Sequence, residues 1–243
     1  MKFSLTLVTA AFVGLFSALT SDALPLERRA PAAILTKCGS SKKLALTFDD
    51  GPHIFTYDLA NELSKNGVKA TFFINGDNYH KLTDPAPNGG TYGDVVKHSY
   101  SLGHQIASHT YSHKNLDKLT ESQVRSEMTK NSDAIYKAIG KRPAFMRPPE
   151  GAYKDETRRI LGELGYTMVM WDIDVLDWSS NGLSAQQKIY KDALASGGGH
   201  IALQHDVYET TAKKLAPWIV KYAKEQGYKF VTVAECAGTS AYR

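Results

Sequence analysis

Asp49 and Asp50 are the residues most capable of chemistry: they close the apolar run Leu44 to Phe48 and are followed at once by Gly51-Pro52. A run this short, ended by Gly-Pro, reads as a buried strand that delivers both carboxylates to its C-terminal end. Side chains alternate faces along a strand, so a regular strand cannot aim both acids into one site. They therefore belong where strand geometry stops. Two close carboxylates repel each other, and a cation relieves that repulsion more directly than protonation does. Alone, the pattern also describes a strand end with a capping Asp before a turn. His109-Thr110-Tyr111-Ser112-His113 shifts the balance. Imidazoles four residues apart share one face of a helix or helical turn, a spacing at which both reach one ion. A carboxylate with two histidines supplies three protein ligands and leaves a coordination position for water, as a catalytic zinc-type site does.

Three further stretches carry candidate groups. Arg147-Pro148-Pro149-Glu150-Gly151-Ala152-Tyr153 combines an arginine, suited to hold a carboxylate with its planar fork, with two prolines that stiffen the following turn. Trp171 to Trp178 packs Asp172, Asp174 and Asp177 between two tryptophans, a composition that serves a sugar-binding wall and core packing equally well. Leu203-Gln204-His205-Asp206 ends a later apolar run. Acids one strand away make a tuned histidine at 205 the better reading over a purely structural one.

The elements that must position these groups alternate in type. Strands are expected at Leu44 to Phe48, Ala70 to Ile74, Gln105 to Ser108, Ala144 to Arg147, Thr167 to Ile173, His200 to Gln204 and Lys229 to Val233. Helices separate them. Thr120-x-x-Gln123 and Ser184-x-x-Gln187 read as capping boxes, Gly140 as a helix stop, and Ala212, Leu215 and Ile219 as the apolar stripe of the last long helix. Repeated strand-helix units without a nucleotide-binding glycine fingerprint point to a barrel of parallel strands, and the polar candidates all fall at C-terminal strand ends, where barrel active sites assemble.

Taken in order, Thr47-Phe48-Asp49-Asp50, His109-x-x-x-His113, Arg147-Pro148-Pro149, Asp174-x-x-Asp177-Trp178 and Leu203-x-His205 resemble the polysaccharide deacetylase (NodB-homology, carbohydrate esterase 4) family, above all secreted fungal chitin deacetylases. The resemblance spans nearly the whole domain and implies its fold, a distorted (β/α) barrel of about seven parallel strands. It implies a metal site of Asp50, His109 and His113, with zinc first and cobalt or another divalent transition metal behind it. Asp49 becomes the general base, Arg147 its orienting partner, His205 the general acid and Asp177 the group that tunes it. Trp178 and Leu203 would wall the acetyl pocket, and the Glu150 backbone N-H would face the oxyanion. Tyr79 and Tyr153 are further candidates to meet the sugar. Glu150 departs from the family, which usually has an aromatic residue there. The implied reaction is deacetylation of β-1,4-linked N-acetylglucosamine chains. The alternatives are an acetylxylan esterase, a peptidoglycan deacetylase, and a carbohydrate-binding protein without turnover.

The remaining features frame that reading. The uncharged apolar run Phe3 to Leu19 behind Lys2 reads as part of a signal peptide over residues 1–23; residues 24–29 read as a propeptide ending at Arg28-Arg29, and 30–243 as one catalytic domain. Cys38 and Cys236 are the only cysteines, and in an oxidising secretory route they are expected to pair. A net charge of +4, with basic residues spread along the chain, requires no nucleic acid. The expectation is a secreted monomer, extracellular or in the cell wall, with a carbohydrate partner and no membrane attachment after signal cleavage.

Overall fold

The computed structural model of the chain describes Met1, residues 30–39 and residues 41–243. The expected signal peptide, propeptide and dibasic site therefore lie outside the described residues. The described chain contains nine strands: β1 (Ile34–Leu35), β2 (Lys43–Asp49), β3 (Thr71–Ile74), β4 (Gln105–Ser108), β5 (Phe145–Met146), β6 (Thr167–Val169), β7 (Ile173–Asp174), β8 (His200–His205) and β9 (Lys229–Val231). All pairings are parallel, in the order β1-β6-β5-β4-β3-β2-β8-β7. The last strand, β9, pairs with the first half of β2.

The sheet curls without closing: β1 and β7 stand at the two ends of the path, and β6 and β7, consecutive in the chain, share no pairing. The strand set differs from expectation in two places. The single strand expected over Thr167 to Ile173 is two strands: the Met170 N-H still donates to Leu35 of β1, whereas the Asp172 N-H donates to Ile201 of β8, so the chain passes here from one end of the sheet to the other. The short edge strand β1 has too few residues to show a period in sequence.

Alternation along the strands sorts the core into two layers. Leu44, Leu46 and Phe48 of β2, Phe72 and Ile74 of β3, and Ile106 of β4 pack under helices. Those helices include α1 (Thr56–Lys65), α2 (Tyr92–Ser101), α5 (Leu183–Leu194) and α6 (Ala216–Glu225). Ala45, Phe73, Ala107, Phe145, Val169 and Ile201 form a second cluster with Val233 and Ala234 of α7 (Val233–Ala237). By the same parity Thr47 and Asp49 face this inner side.

The long helix α3 (Glu121–Ile139) starts on the expected capping box of Thr120 and Gln123 and stops on Gly140, whose φ of 69° suits glycine. The second expected box does not form: α5 is capped by Gly182 without a side-chain bond. Between α3 and α5 lies α4 (Asp155–Glu163). A π-helical turn, Thr211–Leu215, leads into α6, and Ala212, Leu215 and Ile219 are buried as their spacing predicts. Cys38 and Cys236 are bridged with Cα atoms 4.9 Å apart, tying the entry of the domain to α7. In the chain-entropy model, closing so long a loop stabilises by on the order of 5 kcal/mol. Among the described residues no helix is long and apolar enough to cross a membrane.

Candidate active site

The site begins with Arg147, which leaves β5 with no solvent exposure. Its guanidinium donates to the Val169 carbonyl at 3.1 Å, the Met170 carbonyl at 3.2 Å, Thr47 Oγ1 at 2.8 Å and Asp49 Oδ1 at 2.7 Å. It lies over the ring of Phe73, 4.2 Å from the centroid, with Trp171 on a second side. Burial depresses the arginine's pKa, and the adjacent Asp49 opposes that. A buried charge persists only when it is paired in this way. Thr47 and Asp49, two apart on β2, meet the same nitrogen, so strand parity delivers the base to its partner.

Asp50 follows with φ at 74°. That left-handed residue breaks the alternation, which is how two adjacent carboxylates come to one site. Gly51 is required behind them: a Cβ there would come within 2.7 Å of Asp206 Oδ1. Asp206 is fully buried, accepts a 2.5 Å hydrogen bond from Thr56 and has its other oxygen unpartnered. Burial raises its pKa to about 7, the Thr56 bond opposes the rise and the Asp50 charge adds to it.

His109 and His113 do reach Asp50, but a helical turn does not bring them. They occupy an irregular loop in which Thr110 and His113 have φ of 68° and 53°. Three groups hold that loop. Asn75, at the end of β3, donates to the carbonyls of His109 and Thr110 at 2.5 and 2.9 Å. Glu127 of α3 accepts from the Ser112 N-H and hydroxyl at 2.8 and 2.7 Å. The Asp77 N-H donates to the Tyr111 carbonyl at 2.7 Å. Neither Asn75 nor Glu127 stands out in sequence, because each acts on backbone that only the fold brings near.

Asp50 Oδ1 lies 3.4 Å from His109 Nε2 and 3.1 Å from His113 Nε2, and it is buried without a hydrogen-bond partner. His109 Nδ1 lies 2.8 Å from the Arg147 carbonyl, which can only accept, so Nδ1 carries the proton and Nε2 keeps its lone pair. Burial raises the Asp50 pKa, but the two imidazoles more than offset this and hold it far below the usual carboxylate range. Burial also disfavours a charged His113; Asp50, then Asp49 and Glu150, push its pKa up on balance.

Across the cleft, His205 at the end of β8 has its Nδ1 2.7 Å from Asp177 Oδ1, while its backbone N-H donates to Asp177 Oδ2 at 2.8 Å. Thr211 donates to the same Oδ2 at 2.7 Å. Burial works against a charged imidazole here. Asp177, aided by Asp49 and Asp50, overcomes it and raises the His205 pKa to about 9. Nε2 is left toward the cleft.

The cleft encloses about 380 Å³ and brings together Asp49, Asp50, His109, His113, Glu150, Trp178, Leu203 and His205. Arg147 and Asp177 stand behind it as supports. Pro148, Gly151, Trp171, Asp174 and Tyr208 complete its wall, with Tyr208 edge-on to His205 at 5.6 Å between centroids. Tyr208 follows a strand end by three residues and carries no pattern that marks it in sequence. Tyr79 and Tyr153 are exposed outside the lining; Tyr79 packs edge-on against His53 at 5.4 Å. Gly151 is fixed by a φ of 64° and by Trp171, 2.8 Å from where a Cβ would stand.

Residues 36–169 match the family model described as polysaccharide deacetylase. The chain belongs to the polysaccharide deacetylase family. The deacetylase domain is 38% identical over 209 residues to a chitin deacetylase of Arthroderma benhamiae, covering 84% of this chain and 54% of that one. It is 37% identical over 209 residues to a probable peptidoglycan-N-acetylglucosamine deacetylase of the same organism, covering 84% and 46%. It therefore spans about half the length of these two relatives. The structure of the chitin deacetylase from Colletotrichum lindemuthianum superposes with a TM-score of 0.81 at 30% identity, covering 88% of this chain and 96% of that one. The shared fold is the distorted barrel of parallel strands.

Deacetylases of this family are metal-dependent hydrolases, and the residues present fit a cation. Ligand atoms of Asp50, His109 and His113 lie within 4.8 Å of one another. A lone pair of His109 and an unpartnered carboxylate oxygen face each other, an arrangement that a shared cation satisfies.

Proposed function

We propose that this chain hydrolyses N-acetyl groups of β-1,4-linked N-acetylglucosamine polymers or oligomers, releasing acetate and leaving free amino sugars. The observation that carries the reading is one cleft holding an arginine-paired Asp49 beside a three-ligand cluster and an aspartate-paired His205 opposite. Asp50, His109 and His113 would hold the metal. Zinc is the first candidate, and cobalt or another divalent transition metal suits the same N and O donors. When bound, the metal supplies Lewis acidity toward the acetyl carbonyl and a water acidified toward neutral pH.

The chain's own residues do the rest. Arg147 occupies Asp49 Oδ1, which leaves Oδ2 to take a proton from the attacking water. The Glu150 backbone N-H is assigned to the oxyanion, and Trp178 and Leu203 to the wall of the acetyl pocket. An amine leaves poorly unless protonated. His205 gives it a proton from Nε2, while Asp177 on Nδ1 keeps the imidazole in that orientation. The Cys38 to Cys236 bridge suits an oxidising compartment, which supports a secreted protein acting outside the cell or in its wall, and we take it to act as a monomer.

The test is acetate release from chitotetraose before and after chelation, with zinc or cobalt added back. Release that chelation abolishes and metal restores is the expected outcome. Activity on acetylated xylan without activity on chitotetraose would move the chain to an esterase role.

A further inference from the structure

The cleft lining carries four carboxylates, Asp49, Asp50, Glu150 and Asp174, and no lysine or arginine. Its carboxylates are not equivalent. Asp49 is neutralised by Arg147, and Asp50 belongs with the imidazoles and the cation they fit. Asp174 Oδ1 accepts from the Leu176 N-H at 2.9 Å and from the Trp178 indole at 3.4 Å. Glu150 differs from all of them. Its Oε2 accepts a 2.7 Å hydrogen bond from the Asn115 amide, a neutral donor, and among the described residues it has no cationic partner within 4 Å. The side chain is exposed, and the Asn115 bond fixes its carboxylate at the mouth, near enough to His113 to act on it electrostatically. The result is a carboxylate at the mouth, oriented by a neutral donor and without an ion pair among the described residues.

We propose that the Glu150 carboxylate sets substrate preference, favouring glycans in which the acetylated sugar neighbours glucosamine units that already bear an ammonium group. The inference rests on the deacetylase reading above and names the substrate class of that same site. Each turnover breaks a neutral amide C-N bond and leaves an amine that is protonated near neutral pH. The product of one event is thus a better ligand for this mouth than the starting chain. Preference then runs from partially deacetylated chains through fully acetylated ones to glycans bearing carboxylates, which Glu150 repels. The reaction that best supplies the substrate is a prior deacetylation of the same polymer.

The experiment compares kcat/KM, by acetate release, on fully acetylated chitopentaose and on pentamers of the same length carrying two glucosamine units. An exposed ion pair supports a preference of about two- to five-fold for the cationic pentamers at low ionic strength, shrinking at high salt. Glu150→Gln retains an oxygen for Asn115 and should bring the ratio to about one; Glu150→Lys should reverse it. Inhibition by the glucosamine tetramer gives a reading that does not depend on turnover of the probe, and Glu150→Gln should weaken it by the same factor. Equal rates on both pentamers in the wild type, or a preference that survives in Glu150→Gln, overturns this inference alone. No acetate from either pentamer overturns the deacetylase reading and this inference with it.

Discussion

At the floor of the cleft, Arg147 has 0% exposure and donates to four acceptors, whereas at the rim Trp178 is 55% exposed and its indole makes one long hydrogen bond. Between them the polar groups grade from enclosed to free. Asp49, His109 and Asp177 are buried with partners set by strands, while Glu150, Tyr79 and Tyr153 stand on loops in water. The difference separates two tasks. A proton acceptor and a metal cluster need positions that do not relax: β2 supplies the first, and Asn75 and Glu127 pin the loop that carries the histidines of the second. A polymer has to slide in and leave, and an exposed rim lets it.

The floor should fail in stability and turnover together. Arg147→Ala strips Asp49 of its counter-charge while leaving it buried, and breaking such a pair costs about 3–5 kcal/mol. Denaturant unfolding of the metal-free protein should show that loss, and acetate release should fall at least about tenfold, the scale of losing an orienting partner. A variant of unchanged stability would mean that the buried Asp49 does not depend on the arginine's charge.

His205 tests the opposite wall of the floor through pH. The acid must be protonated to act, so amide hydrolysis should fall as pH rises through the pKa of His205, which Asp177 above all holds up. A cation beside Asp49 and Asp50 offsets their share of the rise, so the alkaline limb should lie between the ordinary histidine value and about 9. Asp177→Asn should move that limb toward acid and leave the limb set by the base in place. His205→Ala should lose about 10²- to 10⁴-fold on chitotetraose and far less on an aryl acetate, whose phenolate leaves without a proton. Equal losses on both substrates would remove His205 as the acid.

The part of the floor that strands carry was also the legible part of the sequence, and for the same physical cause. The apolar run closed by two acids, with acids and histidines at the ends of other expected strands, announced a barrel site. The loop carrying His109 and His113 was not legible: a spacing of four suggests a helical turn, but Asn75 and Glu127 hold left-handed backbone from elsewhere in the fold. The split of the strand expected over Thr167 to Ile173 escaped for a related reason, since the apolar run Met168 to Trp171 continues past Val169, where β6 ends. Tyr208 and the aim of Glu150 depend on loop conformation, which neither period nor motif encodes.

The smallest effects should lie at the rim and should grade with position. Stacking of an aromatic ring on a sugar is worth about 0.5–1.5 kcal/mol beyond simple burial, so Trp178→Ala should raise KM roughly two- to ten-fold and change kcat less. Trp178→Phe separates the two contributions of that side chain: it keeps a ring to stack but drops the indole donor to Asp174. Tyr79→Ala should have a weaker effect, since Tyr79 stands outside the lining but within reach of the Asp50 charge. Tyr153→Ala, which neither lines the cleft nor pairs with a ring that does, should stay within about twofold. Steady-state kinetics on chitotetraose order the three. A Trp178→Ala variant that loses kcat at unchanged KM would move the tryptophan from rim to floor. Its indole bond to Asp174 would then act on the geometry of the acetyl pocket, and an exposed side chain would be positioning the reacting atoms as firmly as a buried one.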